Sequence, residues 1–323
     1  MTRVLVTGGA GYIGAHTCKA LAAAGYTPVV YDNLVRGHKK YARWGPFEYG
    51  DILDRFRLDK VIGKHRPQAV LHFAAFAYVG ESLADPGKYY RNNVAGSLTL
   101  LEAVRDHGIP NFVFSSSCAV YGAPVELPIT EETPTLPISP YGTSKLMVEQ
   151  MLRDFRGAHG LSWIALRYFN AAGADPDGEL GEDHDPETRL VPLVLEAAMG
   201  RRDRFAVFGT DYDTPDGTCI RDYIHVSDLA DAHVRALKGL ESGVPSQPLN
   251  LGTGTGASVR QVIQTVERVT GLAVPVEEMS RREGDPAVLI SDASRARTVL
   301  GWEPALPDLN DIVETAWHWH RSR

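Results

Sequence analysis

The chain has 323 residues, 44% hydrophobic, 23% charged and 9% aromatic, with 33 basic against 40 acidic side chains and a formal charge of −7. That apolar content excludes a disordered chain, no apolar run reaches the ~18 residues of a membrane span, and the acidic balance argues against a nucleic-acid partner. The three cysteines, Cys18, Cys118 and Cys219, are scattered and odd in number, which gives neither a metal spacing nor a disulfide framework and points to a reducing, cytoplasmic setting.

At ~150 residues per domain the chain is one large domain or two ordinary ones. The apolar run at Val4–Val6 is broken by Gly8 and Gly9 too early for a signal peptide. Short apolar runs at Arg3–Thr7, Thr27–Tyr31, Ala69–Phe73, Asn111–Ser115 and Ser162–Tyr168 read as strands. Helical patterns fall between them, at Tyr12–Ala24, Asp54–His65, Pro86–His107 and Tyr141–His159. Continuous apolar strands joined by helices predict an α/β fold, a Rossmann-type doubly wound parallel sheet. Beyond Ala171 the pattern changes, with Pro, Gly and Asp clustered at 174–186 and 209–217. Residues 1–170 are therefore expected to form a dinucleotide-binding domain and residues 171–323 a smaller C-terminal α/β substrate domain. Segments of about 221–250, including a helix over Ser227–Leu240, can return to the first domain.

The first strand runs into Thr7-Gly8-Gly9-Ala10-Gly11-Tyr12-Ile13-Gly14. Glycines at 8, 11 and 14 suit a tight turn, close approach to a diphosphate and close helix–strand packing, and the following helix offers free N–H groups at its positive end. Asp32 ends the second strand, where a carboxylate accepts from ribose hydroxyls and repels a 2′-phosphate. NAD is thus expected rather than NADP, with Arg36 just beyond the strand as a complication. Asp51 is a candidate adenine contact or a plain loop acid. The small residues after His72 (Phe73, Ala74, Ala75) suit backbone lying close to a cofactor.

Tyr141 and Lys145 are spaced i, i+4 at a helix start, which puts both on one face. A lysine charge ~4 Å from the phenol, at an effective dielectric of ~20, is worth ~4 kcal/mol, or ~3 pKa units. An oxidised nicotinamide would push the same way, and together they make the phenolate accessible near pH 7, as proton removal from an alcohol during hydride transfer requires. Ser115-Ser116-Ser117 ends the fifth strand, so Ser117 is placed to bridge the tyrosine and a reacting hydroxyl.

These motifs together resemble the extended short-chain dehydrogenase/reductase family, and within it the nucleotide-sugar 4-epimerases. Matching stretches include Asp32-Asn33-Leu34, Gly50-Asp51-Ile52, Val79-Gly80-Glu81-Ser82, Leu166-Arg167-Tyr168-Phe169-Asn170, Gly181-Glu182-Asp183-His184, Arg221-Asp222-Tyr223-Ile224-His225-Val226 and Arg282-Glu283-Gly284-Asp285. The resemblance implies a resident NAD that is both oxidant and reductant, and C4 epimerisation of a UDP-hexose (UDP-glucose and UDP-galactose) through a 4-keto sugar. Tyr141 would be the base, Lys145 would also hold the nicotinamide ribose, and Ser117 would orient the 4′ oxygen. Tyr12, Ile13, Asp32, Asn33, Asp51, Ile52, Phe73, Asn92 and Phe169 would line the NAD site, with Ser115, Ala74, Ala75 and Ala77 beside them. Asn170, Leu190, Phe208, Arg221, Arg282 and Asp285 would hold the UDP-sugar. Arginine suits the diphosphate, Phe208 could stack on uracil, and Asp285 could accept from ribose hydroxyls. The family also implies a homodimer through helices Pro86–His107 and Tyr141–His159.

Three positions depart from the pattern. Arg189 stands where relatives often have Asn or His, Ala77 replaces a lysine of some members, and Leu289 replaces a bulky tyrosine near the sugar. The smaller Leu289 leaves room for an N-acetyl substituent, which makes UDP-N-acetylglucosamine an alternative substrate. Ala77-Tyr78-Val79-Gly80-Glu81-Ser82 and Gly217-Thr218-Cys219-Ile220-Arg221 also resemble the UDP-xylose/UDP-arabinose 4-epimerases, which makes a pentose another. A dehydratase would need carboxylates after the strand-five serine, where the chain has Ser117-Cys118-Ala119-Val120. A non-catalytic NAD-sensing regulator would usually have lost Tyr141 or Lys145. His184 and His225 read as satisfied structural histidines rather than metal ligands, and Trp317-His318-Trp319-His320 as a terminal helix packing its tryptophans. No metal is expected.

Overall fold

The computed structural model describes residues 1–282 and 284–323; Glu283, of the Arg282–Asp285 motif, lies outside the described residues. A seven-stranded parallel sheet organises the first half. Its strands in chain order are β1 (Arg3–Thr7), β2 (Thr27–Asp32), β3 (Phe47–Tyr49), β4 (Ala69–His72), β5 (Asn111–Ser115), β6 (Ser162–Tyr168) and a seventh, Gln247–Leu251. In space they run Gln247–Leu251, β6, β5, β4, β1, β2, β3, so the strand order reverses between β1 and β4. Ligand crevices form at such a reversal, outside the carboxyl ends of the strands.

Side-chain alternation explains why both faces are covered. Val4 and Val6 enter one apolar layer and Leu5 the other, as do Ala69 and Leu71 against Val70, and Val113 against Phe112 and Phe114. The first layer packs helices Tyr12–Ala23 and Val226–Glu241 on the sheet; the second packs Arg55–His65, Gly96–Asp106 and Pro140–His159. Two features depart from the sequence reading. The edge strand Phe47–Tyr49 is only three residues long, too short to show a period. The single helix expected over 86–107 is instead helical at Pro86–Tyr89, widens to π-type spacing over Tyr90–Ala95, and resumes at Gly96–Asp106. Such widening often marks functional sites; here it carries Asn92 and Asn93.

A second core gathers helices Leu190–Ala198, Val259–Thr270 and Leu309–Arg321 around the parallel pair Phe205–Phe208 and Val276–Met279. The terminal helix buries Trp319, whose Nε1 donates to the Glu182 carbonyl at 3.3 Å. Gly181 faces that indole so closely that an added Cβ would stand 2.3 Å from the ring.

Candidate active site

One cleft of about 1710 Å³ opens along the carboxyl ends of the sheet strands and continues into the second core. Single-ligand pockets run to ~300–1,000 Å³, so this cleft has room for two ligands side by side. It brings together every candidate cofactor and substrate residue except Asp51. The Asp51 carboxylate accepts from Asn33 Nδ2 at 2.8 Å and from the Leu53 N–H at 2.9 Å, so it orients Asn33, which does line the cleft. The loop-acid alternative describes that geometry.

At one end lies the glycine turn. Gly8 has φ +72°, and a Cβ there would stand 2.6 Å from the Ala74 nitrogen; at Gly14 it would stand 2.2 Å from the Gly8 carbonyl oxygen. These two glycines serve the fold. Gly11 is different: its φ of −82° suits any residue, and an added Cβ would meet only the Gly8 oxygen, at 3.3 Å. Its missing side chain leaves room in the cleft, at the N-terminus of helix Tyr12–Ala23, where a diphosphate would be met by free N–H groups. Beside it the Asp32 carboxylate is fixed by the Ala10 N–H at 3.0 Å and the Leu34 N–H at 2.7 Å, keeping lone pairs toward the cleft. Burial raises its pKa, and these two backbone donors oppose the rise. Arg36 turns away from Asp32: it donates to the Asp185 carbonyl at 2.6 Å and stacks on Tyr78, 4.8 Å from the ring centroid. The carboxylate, the diphosphate turn and the extra space at Gly11 fit a dinucleotide with an unmodified adenosine ribose. Ile13, Ile52, Phe73, Ala74, Ala75, Ala77 and Asn92 complete this half.

The trio sits in the middle of the cleft. Ser139 caps helix Pro140–His159 by accepting the Gly142 N–H, and Pro140 starts its first turn, so Tyr141 and Lys145 enter the site from the capped N-terminal end of the helix. Lys145 is buried; its Nζ donates to the Ser115 carbonyl at 2.7 Å and lies 5.8 Å from the Tyr141 ring centroid. Ser117 caps the short turn that follows β5, and Ser115 Oγ meets Tyr168 Oη at 2.6 Å.

The electrostatics here add desolvation to the sequence reading. Burial pushes the Tyr141 phenol up, and the opposing pulls come from the Ser117 hydroxyl and the charge of Arg189. Burial also draws the Lys145 ammonium down to about 7, with Glu149 resisting. Both partners are desolvated, so proximity alone does not yield a phenolate; the cost of removing charge from water exceeds the pair's attraction.

The far half carries the arginines. Arg282 stacks on Phe208 at 4.0 Å from the ring centroid. Arg221 pairs with Asp285 at 2.5 Å, so these two candidates hold each other while facing the cleft. Leu289, in a two-residue strand paired with Ile220–Arg221, packs beside Phe169. Asn170 and Leu190 line the same region. Arg189 precedes helix Leu190–Ala198, with Nε 3.9 Å from Glu182 Oε1.

Over the cofactor half runs the segment 182–189. Arg36 holds the Asp185 carbonyl, His38 Nε2 meets the Asp183 carbonyl at 2.9 Å, Tyr41 donates to the Asp183 carboxylate at 2.7 Å, and Tyr78 donates to the Pro186 carbonyl at 3.2 Å. The histidine expectation divides at this point. His225 is satisfied, by Thr315 and the Ser227 N–H. His184 Nδ1 lies buried 3.2 Å from Glu182 Oε1 with no hydrogen-bond partner among the described residues. Sequence reasoning also missed Asn93, which clamps both backbone groups of Phe76 and donates to Ser144 on the catalytic helix. Its only sequence signal is the doubled Asn92-Asn93.

Comparison with known proteins agrees with this geometry. Residues 4–252 match the model of the NAD dependent epimerase/dehydratase family. A UDP-glucose 4-epimerase of Rhizobium leguminosarum bv. trifolii is 56% identical over 98% of this chain and 97% of its own length. The crystal structure of UDP-glucose 4-epimerase from Brucella ovis in complex with NAD superposes with a TM-score of 0.97, at 55% identity, over 99% of this chain and 98% of that one. A Stenotrophomonas maltophila UDP-glucose-4-epimerase with bound NAD and formylated UDP-arabinopyranose gives 0.96 at 42% identity, over 100% and 98% of the two chains.

Proposed function

Because this chain belongs to the NAD dependent epimerase/dehydratase family, we propose that it is an NAD-dependent isomerase that inverts C4 of a UDP-hexose, interconverting UDP-glucose and UDP-galactose. The observation that carries this reading is one cleft holding a diphosphate turn, the trio Ser117, Tyr141 and Lys145, and an arginine-bearing far half. NAD, when bound, supplies a hydride acceptor and donor, and its positive ring adds to the pull on the phenol.

The chain's own residues do the rest. Tyr141 takes the proton of the sugar 4-hydroxyl and later returns it to the 4-keto oxygen, while Ser117 holds that oxygen in place. Arg189 opposes the burial that raises the Tyr141 phenol, and Lys145, as an ammonium, adds positive charge beside it. Arg221 and Arg282 grip the UDP diphosphate, Phe208 packs on the base, and the sugar turns over about its link to the diphosphate within the cleft. The segment 182–189 keeps water from the keto sugar. Helices Gly96–Asp106 and Pro140–His159 expose Leu98 and Met147, which suits a homodimer built on these two helices. The free cysteines suit a reducing cytoplasm.

The test is epimerisation of UDP-galactose by purified protein without added NAD, with UDP-N-acetylgalactosamine and UDP-arabinose in parallel. Tyr141→Phe is expected to lower turnover at least ~100-fold with NAD still bound, the usual loss for a general base. Full activity in that variant, or no epimerisation of any of the three sugars, overturns the reading.

A further inference from the structure

Beneath the trio lies a charged group that the proposed chemistry has not used. Glu149 is fully buried on helix Pro140–His159, one turn beyond Lys145, so Tyr141, Lys145 and Glu149 stand at i, i+4 and i+8 on one face. Its carboxylate accepts from Arg167 on β6 through Nε at 2.9 Å and Nη2 at 2.5 Å, a bidentate pair with Arg167 itself 1% exposed. The same Oε1 accepts the Ser116 hydroxyl at 2.7 Å. Ser116 is the middle of the turn whose first carbonyl receives the Lys145 ammonium and whose last residue is Ser117. Arg167 continues the network to Tyr121 at 2.9 Å, and Tyr121 to Asn250 at 2.6 Å.

We propose that Glu149 is a positioning residue for the trio: it fixes the Ser115–Ser117 turn and places a negative charge one helical turn from Lys145, so that the lysine enters the reaction as an ammonium. This rests on the epimerase reading above. The groups facing Lys145 are few. On its own helix these are Tyr141 and Glu149; from β5 come the Ser115 carbonyl and the Phe114 ring, 4.9 Å away; and from β4 comes His72, kept neutral by burial and by the Lys145 charge itself. Glu149 faces Arg167, Ser116 and, at 3.6 Å, Arg153. Of these, the Glu149 carboxylate opposes the loss of the Lys145 proton that burial promotes.

The sign follows. Activity that needs an ammonium is present below the Lys145 pKa and lost as pH rises through it; removing Glu149 lowers that pKa, so the alkaline limb of the kcat–pH profile moves to lower pH. The experiment measures kcat, KM for UDP-galactose and bound NAD per chain from pH 5.5 to 9.5 for the holoenzyme, Glu149→Gln, and the double variant Glu149→Gln/Arg167→Met. The double variant removes both charges and keeps a folded protein in hand if the single one fails, since a buried pair tolerates joint replacement by neutral residues better than loss of one partner. In Glu149→Gln the alkaline limb is expected to shift down by about one pH unit, with kcat at pH 8 about tenfold lower, recovered at acid pH, and KM and NAD content within about twofold; in the double variant, where the Arg167 charge is gone as well, the limb moves in the same direction by less. A uniform fall in kcat with an unmoved limb overturns the inference. Lys145→Met separates the two levels: full activity in it refutes the underlying reading, whereas an inactive Lys145→Met with an unmoved Glu149→Gln limb refutes only the role of Glu149.

Discussion

Two alanine substitutions, three residues apart in the glycine turn, should separate what the fold needs from what the cofactor needs. At Gly14 an added Cβ stands 2.2 Å from the Gly8 carbonyl oxygen and 2.9 Å from the Gly9 Cα. Ordinary contact is ~3.5–4.0 Å, so backbone must move by about 1 Å or more, and overpacking of this kind costs ~1–3 kcal/mol. At ~2–4 °C per kcal/mol for a chain of this order of size, Gly14→Ala should lower Tm by about 2–12 °C. At Gly11 the Cβ meets only the Gly8 oxygen at 3.3 Å, on backbone of ordinary φ, so Gly11→Ala should leave Tm within about 2 °C once nucleotide is stripped. Its methyl instead fills space that the diphosphate would occupy, and a misfit of ~1–3 kcal/mol weakens NAD by about 5–150-fold. The assay is NAD released per chain after gel filtration, with a titration of stripped protein, beside calorimetry with and without NAD to remove stabilisation by binding. Gly11→Ala with a full NAD complement and unchanged affinity, or Gly14→Ala as stable as the parent, refutes the reasoning.

Two further outcomes follow from the buried groups and the far half of the cleft. Burial holds His16, His225 and His233 to about 4, against 6.5 when free, so the unfolded chain binds protons the folded one refuses between those values. Stability should therefore fall as pH drops from about 6.5 to 4, by up to ~1.4 kcal/mol per pH unit per histidine; a His233→Gln variant should show a shallower fall of Tm, and an identical slope would contradict this cause. Arg282→Lys should raise KM for UDP-galactose about tenfold with kcat within about threefold, because a point charge loses both bidentate phosphate contact and the stack on Phe208; an unchanged KM would remove Arg282 from substrate binding.

The parallel sheet was readable because Val4–Val6, Val70–Leu71 and Phe112–Phe114 are buried on both faces and so appear as unbroken apolar runs. The glycine turn and the Tyr141/Lys145 pair were readable because close backbone approach and helical spacing are local properties. The second half gave less. Ile220–Arg221, Ala257–Ser258 and Val288–Leu289 are two-residue strands held by partners far away in sequence, and two residues show no period. Asn93 and Glu149 were missed for a related reason: each acts on backbone or side chains from another element, and nothing beside it in sequence reports that contact. The burial of both Tyr141 and Lys145 was not legible, because spacing gives proximity but not desolvation.

The four anchors on residues 183–186 also bear on residence time. For a dinucleotide to leave past this segment, the bonds from Arg36, His38, Tyr41 and Tyr78 must open together. At ~1 kcal/mol net for each, that adds ~4 kcal/mol to the escape barrier, or about a thousandfold in rate. A carrier that is oxidised and reduced again within each turnover gains nothing by leaving. Slow exchange would insulate the reaction from the redox state of its surroundings, so the ratio of free oxidised to reduced nucleotide outside need not set the rate inside.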